Sequence, residues 1–240
     1  MSQLTSDPQA AGQPLYVSSS TQVHRLGERL VTSNGNVYRY CKAGEALVAG
    51  NFIQSPAQAA NHQNISVAAA AIGATTITVT LGATAATANQ YAGGQAVVTI
   101  TPGLGQAINI QGHPAADASA TLVLTLDEPL RVALTTDTRI DLVPNQYNGV
   151  IQSPATTLTG TSVGVATYII ASAEFGWLQR SGLCGALMAD TTAVGKAIVI
   201  PSGTAGAAKE DPANVASVIV GAMASTAGTG ECNGVMLSYE

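Results

Sequence analysis

The sequence predicts an all-β protein: a β-sandwich or small barrel that carries an inserted second β domain and begins with an extended N-terminal arm. Three observations carry that expectation. Apolar residues recur at every second position in short runs, the mark of half-buried strands. Turn-forming pairs and clusters separate these runs at short intervals, as they do in sandwiches and small barrels. The tetrapeptide Ile-Gln-Ser-Pro occurs at residues 53–56 and again at 151–154, on either side of a self-contained stretch of such runs. Long amphipathic helices are missing from the pattern.

Residues 1–22 are polar, punctuated by Pro8, Gly12 and Pro14, and carry the serine run Ser18 to Ser20. This composition predicts an arm that is ordered only against a partner. From residue 23 the pattern turns to strands. Asn34-Gly35 signals a tight turn, followed by the alternation Val37, Tyr38, Arg39, Tyr40. ALVAGNFIQSP supplies a further short strand ending at Pro56, and residues 57–64 (AQAANHQN) read as turn or brief helix.

Residues 65–143 read as the inserted β domain. In ATTITVTLG, Ile77, Val79 and Leu81 share one face while Thr76, Thr78 and Thr80 share the other. AVVTIT, QAINIQG, ATLVLTLDEPL and TRIDLVP follow, separated by GG, PGLG, HPAADAS and TTDT. ATAATANQYAGG fits a short helix or a long loop. Because the two Ile-Gln-Ser-Pro copies bracket this stretch, residues 23–64 plus 145–240 are expected to form one discontinuous β domain. A simple tandem of two domains is the alternative. In the C-terminal part, Phe175 and Trp177 are the expected anchors of a core or a subunit interface. VGKAIVIPSG, ASVIVGAMAST and GECNGVMLSYE read as strands, and residues 205–217 as an exposed loop.

Composition narrows the function classes. Only 10% of the 240 residues are charged and 4% are aromatic, while 46% are hydrophobic; the usual charged share is about 25%. Low charge with high hydrophobic content argues against disorder and for a surface partly covered by neighbours in an assembly. The net charge is −5, with nine Lys and Arg spread thinly, so no basic stripe is present to bind nucleic acid. The longest apolar stretch, Val67 to Ile72, is too short to span a membrane. The N-terminus has neither a basic nor an apolar leader region, so no secretion signal is expected. Cys41, Cys184 and Cys232 give neither a disulfide framework nor a CxxC pair, and read as small buried thiols of a protein made in a reducing cytoplasm.

The stretch TPGLGQAINIQGHP, ending at His113 and Pro114, is the first place to look for chemistry. A dinucleotide fingerprint needs GxGxxG between a strand and a helix, because the phosphate rests on a helix N-terminus. Here the third glycine is missing, and Ala107 to Gln111 alternates as a strand, so the stretch reads as a hairpin. His24, His62 and His113 lie in separate segments with no HxH or HExxH spacing. GxSxG and calcium-loop patterns are missing. Asp127-Glu128 and Glu210-Asp211 are the close acidic pairs; neighbours on a strand point to opposite faces, so Asp127 and Glu128 cannot share one bond as acid and base. Gly44, Gly50, Gly149, Gly182 and Gly195 read as turns or close strand contacts. No catalytic, cofactor-binding or metal-ligating residue is expected, and the chain is expected not to be an enzyme.

Four stretches carry a resemblance: GERLVTSNGNVYRYCKAGEALVAGNFIQ, AGGQAVVTITPGLGQAINIQGHP, LDEPLRVALTTDTRIDLVPNQYNGVIQ and FGWLQRSGLCGALMAD. Together they resemble tailed-bacteriophage capsid decoration proteins, also called head cement proteins. The features in common are the VYRYxKAG…LVAG opening, the glycine-bearing inserted β unit and the GWLQxxG return. The resemblance implies a β-rich virion protein, assembled in the host cytoplasm, that binds the major capsid protein on the outer capsid surface. It also implies self-association, with a homotrimer favoured, and an N-terminal arm that runs along the shell. Another virion component, such as a tail, fibre or spike protein for host attachment, is the alternative. Scattered aromatics and the lack of repeats weigh against a glycan-binding fibre. No nucleic acid, membrane or cofactor enters either reading.

Overall fold

The computed structural model describes residues 12–211 and 218–239. The fold is all-β, with barrel-like, nearly closed sheets. In chain order the described strands are β1 (Arg29–Val31), β2 (Val37–Ala43), β3 (Phe52–Gln54), β4 (Ile65–Ser66), β5 (Thr76–Thr80), β6 (Gln95–Ile100), β7 (Ala107–Gly112) and β8 (Thr121–Leu126). They continue as β9 (Arg139–Val143), β10 (Asn148–Gln152), β11 (Ser162–Ala166), β12 (Phe175–Leu187), β13 (Ala197–Ile200), β14 (Lys209–Glu210), β15 (Val218–Met223) and β16 (Cys232–Ser238).

The chain divides into two compact units: Met1–Pro56 with Gln146–Glu240, and Ala57–Asn145. The second unit starts at Ala57, whereas the sequence reading began it at residue 65. The eight earlier residues belong there because the 3₁₀ turn Ala60–His62 buries His62, whose ring bonds Tyr91 and Thr84 of the same unit.

In the first unit, the two Ile-Gln-Ser-Pro copies lie side by side. Gln54 pairs with Ile151 and Ile53 with Gln152, so the chain leaves and re-enters this unit on adjacent antiparallel strands. The order β2-β10-β3-β11-β12 closes on itself, since β12 pairs back onto β2. The sheet then runs on from β12 through β16, β15, β13 and β14. Where β2 meets β10 the backbones come very close. A Cβ on Gly44 would lie 2.7 Å from the Gly149 carbonyl oxygen, which is why a residue without a side chain stands there.

Both faces of β2 and of the first five residues of β12 are covered. Cys41, Ala43 and Leu178 pack with Ile53, Val150 and Val163 in one cluster. Tyr38, Tyr40, Phe175 and Trp177 pack with Leu15 and Leu30 in another. Cys184, Ala186, Ile198, Val220, Met223, Val235 and Leu237 belong to a third, formed by the extension of the sheet.

The second unit is simpler. Its order is β4-β9-β6-β7-β8-β5, and a bridge between Val67 and Val79 nearly closes the ring. One core fills it: Ile77, Val79, Ile110, Leu122, Leu124, Ile140 and Leu142, all at most 1% exposed, lie in a single cluster. β8 alternates without exception between exposed and buried positions, as the period of a strand with one wet face requires.

Two further expectations change. Residues 12–22 do not form an arm awaiting a partner; they lie on their own unit. Gln13 and Leu15 are buried, and Ser19 exchanges backbone hydrogen bonds with Phe175 at 3.0 and 2.8 Å. Residues 1–11 of that arm fall outside the described residues. The expected loop 205–217 contains β14, with Ala207 and Ala208 buried. Lys209 and Glu210 pair with Val199 and Ile198, which takes them out of the loop. Residues 212–217 fall outside the described residues.

Candidate functional site

A grouping of polar and aromatic side chains in the first unit surrounds Trp177. Register places Trp177 opposite Tyr40 on β2, and their rings meet edge to face at 5.0 Å. Phe175 stacks on Tyr40 at 6.1 Å. Gln13 ties the N-terminal segment to this group. The Tyr40 hydroxyl donates to its Oε1 at 2.6 Å, and its Nε2 donates to the Phe175 and Val17 carbonyls, each at 2.9 Å. Every polar atom of that buried amide is thereby used.

His24 completes the group, against Trp177 at 5.0 Å and Tyr40 at 5.1 Å. Its Nδ1 lies 3.1 Å from Glu28 Oε1, and Glu28 Oε2 accepts the Arg25 N–H at 3.2 Å. The i,i+4 spacing of His24 and Glu28 was the signal in the sequence that could have found this pair. His24 Nε2 and Trp177 Nε1 are buried with no hydrogen-bond partner among the described residues. A carboxylate-oriented imidazole is half of a nucleophile-activating relay, but among the described residues no hydroxyl or thiol is bonded to the His24 ring.

His62 and His113 come together in the second unit, 51 positions apart in sequence by their numbering, on either side of Tyr91. The Tyr91 hydroxyl bonds His62 Nδ1 at 2.5 Å, and the Tyr91 N–H bonds His113 Nε2 at 3.0 Å. No carboxylate or thiol takes part. Nothing in the local pattern marks this trio, because its members come from three separate segments that meet only in the fold.

TPGLGQAINIQGHP is the β6–β7 hairpin and the turn after it. Gly103 (φ +88°) and Gly105 (φ +85°) adopt the left-handed backbone that the bend requires, and a strand follows where a phosphate cradle needs a helix. The acidic pairs do not converge either. Asp127 and Glu128 sit just beyond β8, not on a strand, and Glu128 bonds exposed Arg131 at 2.6 Å. Glu210 pairs with Lys196 at 2.9 Å. Among the described residues no group of three or more His, Cys, Asp or Glu is placed to hold a metal ion, and no helix is long and apolar enough to cross a membrane.

Cys41 and Cys184 are buried, and burial pushes the Cys184 thiol up to about 12 and that of Cys41 higher. Cys232 departs from the expectation of a buried thiol: it is exposed, because the last strand turns it outward.

What the surface offers instead is apolar and carries few charges. Ile169 is 70% and Val48 52% exposed, and the Leu47–Ile170 bridge sets them across from each other. Tyr16 and Val17 are exposed too, with Tyr16 edge-on to Tyr168 at 6.2 Å. On the extended sheet Leu183 pairs with Met236, both about half exposed, beside the side-chain-free pair Gly185 and Gly234. Each unit also has an open cleft among its described residues. One of ≈ 560 Å³ is lined by Leu158, Ile200, Pro201 and Val218 in the first unit. One of ≈ 310 Å³ is lined by Gln106, Asn109, Glu128 and Arg131 in the second.

Comparison of the chain with family models, with curated proteins and with solved structures finds no match.

Proposed function

We propose that this chain is a non-enzymatic virion structural protein that binds the outer surface of a phage capsid and stabilises it, as decoration or cement proteins do. The observation that carries the reading is the set of exposed apolar side chains held beside strand pairings: Leu183 opposite Met236 on β12 and β16, and Val48 and Ile169 flanking the isolated Leu47–Ile170 bridge. In a chain with 10% charged residues, such pairs favour contact with neighbouring subunits over solvent. The resemblance to capsid decoration proteins supplies the partner: the major capsid protein, with copies of this chain meeting as homo-oligomers, a trimer favoured.

The mode of binding follows from the framework. Leu183 and Met236 are presented by paired strands and Val48 and Ile169 sit next to a β-bridge, so contact costs little ordering entropy, and many weak contacts repeated over a shell sum to tight attachment. The test is co-sedimentation of purified protein with expanded and unexpanded capsids, for the natural chain and for Ile169→Asp. The natural chain pellets with one capsid form, and I169D weakens the association at unchanged fold, read by circular dichroism. Failure of the natural chain to pellet with either form overturns the reading. Binding confined to tails moves the protein to the alternative class of tail, fibre or spike components.

A further inference from the structure

Glycine inside a strand weakens it, so it stands there for a reason: a left-handed backbone, a bulge, or the close approach of another group. Of the 25 glycines in the chain, Gly185 alone has no such reason within its own fold. Its φ lies outside the left-handed region, and a Cβ built on it would meet nothing within 4 Å. No bulge interrupts the ladder either: β12 and β16 stay in register from Ser181 with Ser238 to Leu187 with Cys232. Gly185 is exposed, so the space above it opens to the surface.

Gly185 belongs to a strip made by alternate residues of the two strands. Leu183 and Met236 form one row, 55% and 49% exposed, and Gly185 and Gly234 form the next. Ser181 with Ser238 and Leu187 with Cys232 end the strip, and none of these eight residues is charged.

We propose that this strip binds a second copy of the chain, face to face about a two-fold axis, with Leu183 of each copy seated over Gly185 of the other. The axis runs across the strands and passes between the two rows. Rotation about it lays β12 on β12 and β16 on β16, so each projecting row meets a bare one, Leu183 over Gly185 and Met236 over Gly234. A projecting row one step from a bare row fits its own copy without any change of shape.

Charge points to the same occupant. The chain carries 14 acidic and nine basic residues, so its net charge sets copies against one another. A two-fold contact brings a face against itself, and a charge near the axis would meet its like. A strip without charge escapes that repulsion. The inference does not rest on the capsid reading: it assigns Leu183 and Met236 to joining copies and leaves Val48 and Ile169 for the shell. Because the contact makes pairs, it adds a link to a three-fold assembly and does not build one.

Sedimentation equilibrium of the full-length chain alone tests this, with Gly185→Val and Leu183→Asp beside the natural protein. The natural chain should associate in even numbers, and added salt should not part the copies. G185V fills the open space with a strand-favouring side chain. It should keep or raise thermal stability while weakening association about tenfold or more. L183D should weaken association as far. Register is read with Ser238→Cys, since the two-fold lays residue 238 of one copy near Cys232 of the other. A short bismaleimide should therefore link copies of S238C and leave natural copies unlinked. A natural chain that stays monomeric or associates only in threes, association unchanged in G185V, or S238C copies that do not link overturns the proposal. Lost stability in G185V overturns it too, because Gly185 would then serve its own fold. Capsid co-sedimentation is read separately: a chain that pairs but does not pellet keeps this inference and loses the capsid reading. A chain that pellets but never pairs does the reverse.

Discussion

The two units solve the same problem, burying one side of a strand, in different ways. In the second unit each strand has a wet face and a dry face, and the dry faces meet in one core. In the first, Phe175 to Gln179 of β12 are buried on both faces, and the face that carries Trp177 is dry because residues 12–24, far from β12 in sequence, cover it. The lesson is about where stability resides. A one-core barrel stands on side chains whose pattern is local. A two-faced strand stands on a remote segment and on polar contacts such as Gln13 that fasten it.

Four experiments would break or sharpen that contrast. Trp177→Ala should have the largest effect, about 3–5 kcal/mol, because it removes the centre of the aromatic cluster. Exchange protection should collapse in β2 and β12 while amides of β7 and β8 keep theirs; loss in both units would erase the distinction between two cores. Leu124→Ala is its mirror image, at about 2–5 kcal/mol, and should lower protection in β5, β7 and β8 only. Gln13→Ala comes next. It leaves the Tyr40 hydroxyl and the Phe175 carbonyl short of a partner, at about 1–3 kcal/mol in chemical denaturation. A cost near zero would show that residues 12–24 merely rest on β12.

The smallest effect appears only in alkali. Cys184, pushed up from 9.0 to about 12, and Tyr38, Tyr168 and Tyr239, all raised mainly by burial, belong to the first unit; Tyr91, raised by burial too, belongs to the second. Groups raised by burial lend stability that is complete below their unfolded pKa and is lost as the pH climbs towards the folded value. Between pH 9.0 and about 12 the first unit should therefore weaken before the second. At milder pH, thiol titration should count one reactive cysteine, Cys232, in the folded protein and all three after denaturation.

The second unit was the more legible of the two. Ile77, Val79 and Leu81 are buried together, with Thr76 and Thr80 outside, as period two requires. The Asn34-Gly35 turn between β1 and β2 and the repeated Ile-Gln-Ser-Pro could also be read directly, because short-range chemistry and self-similarity are visible in a line of letters. Gln13 could not be read this way. Its role depends on a carbonyl 162 positions away, and a glutamine in a polar run carries no mark of burial. The trio of His62, Tyr91 and His113 was hidden for the same reason, being side-chain contacts across 22 to 29 positions. Surface pairs such as Leu183 and Met236 emerge only once register is known.

Electron microscopy of the source particle puts the functional reading to the most direct test. The account predicts density of two β units per copy capping the outer shell at three-fold or quasi-three-fold positions. Density confined to the tail, with a bare shell, would contradict it.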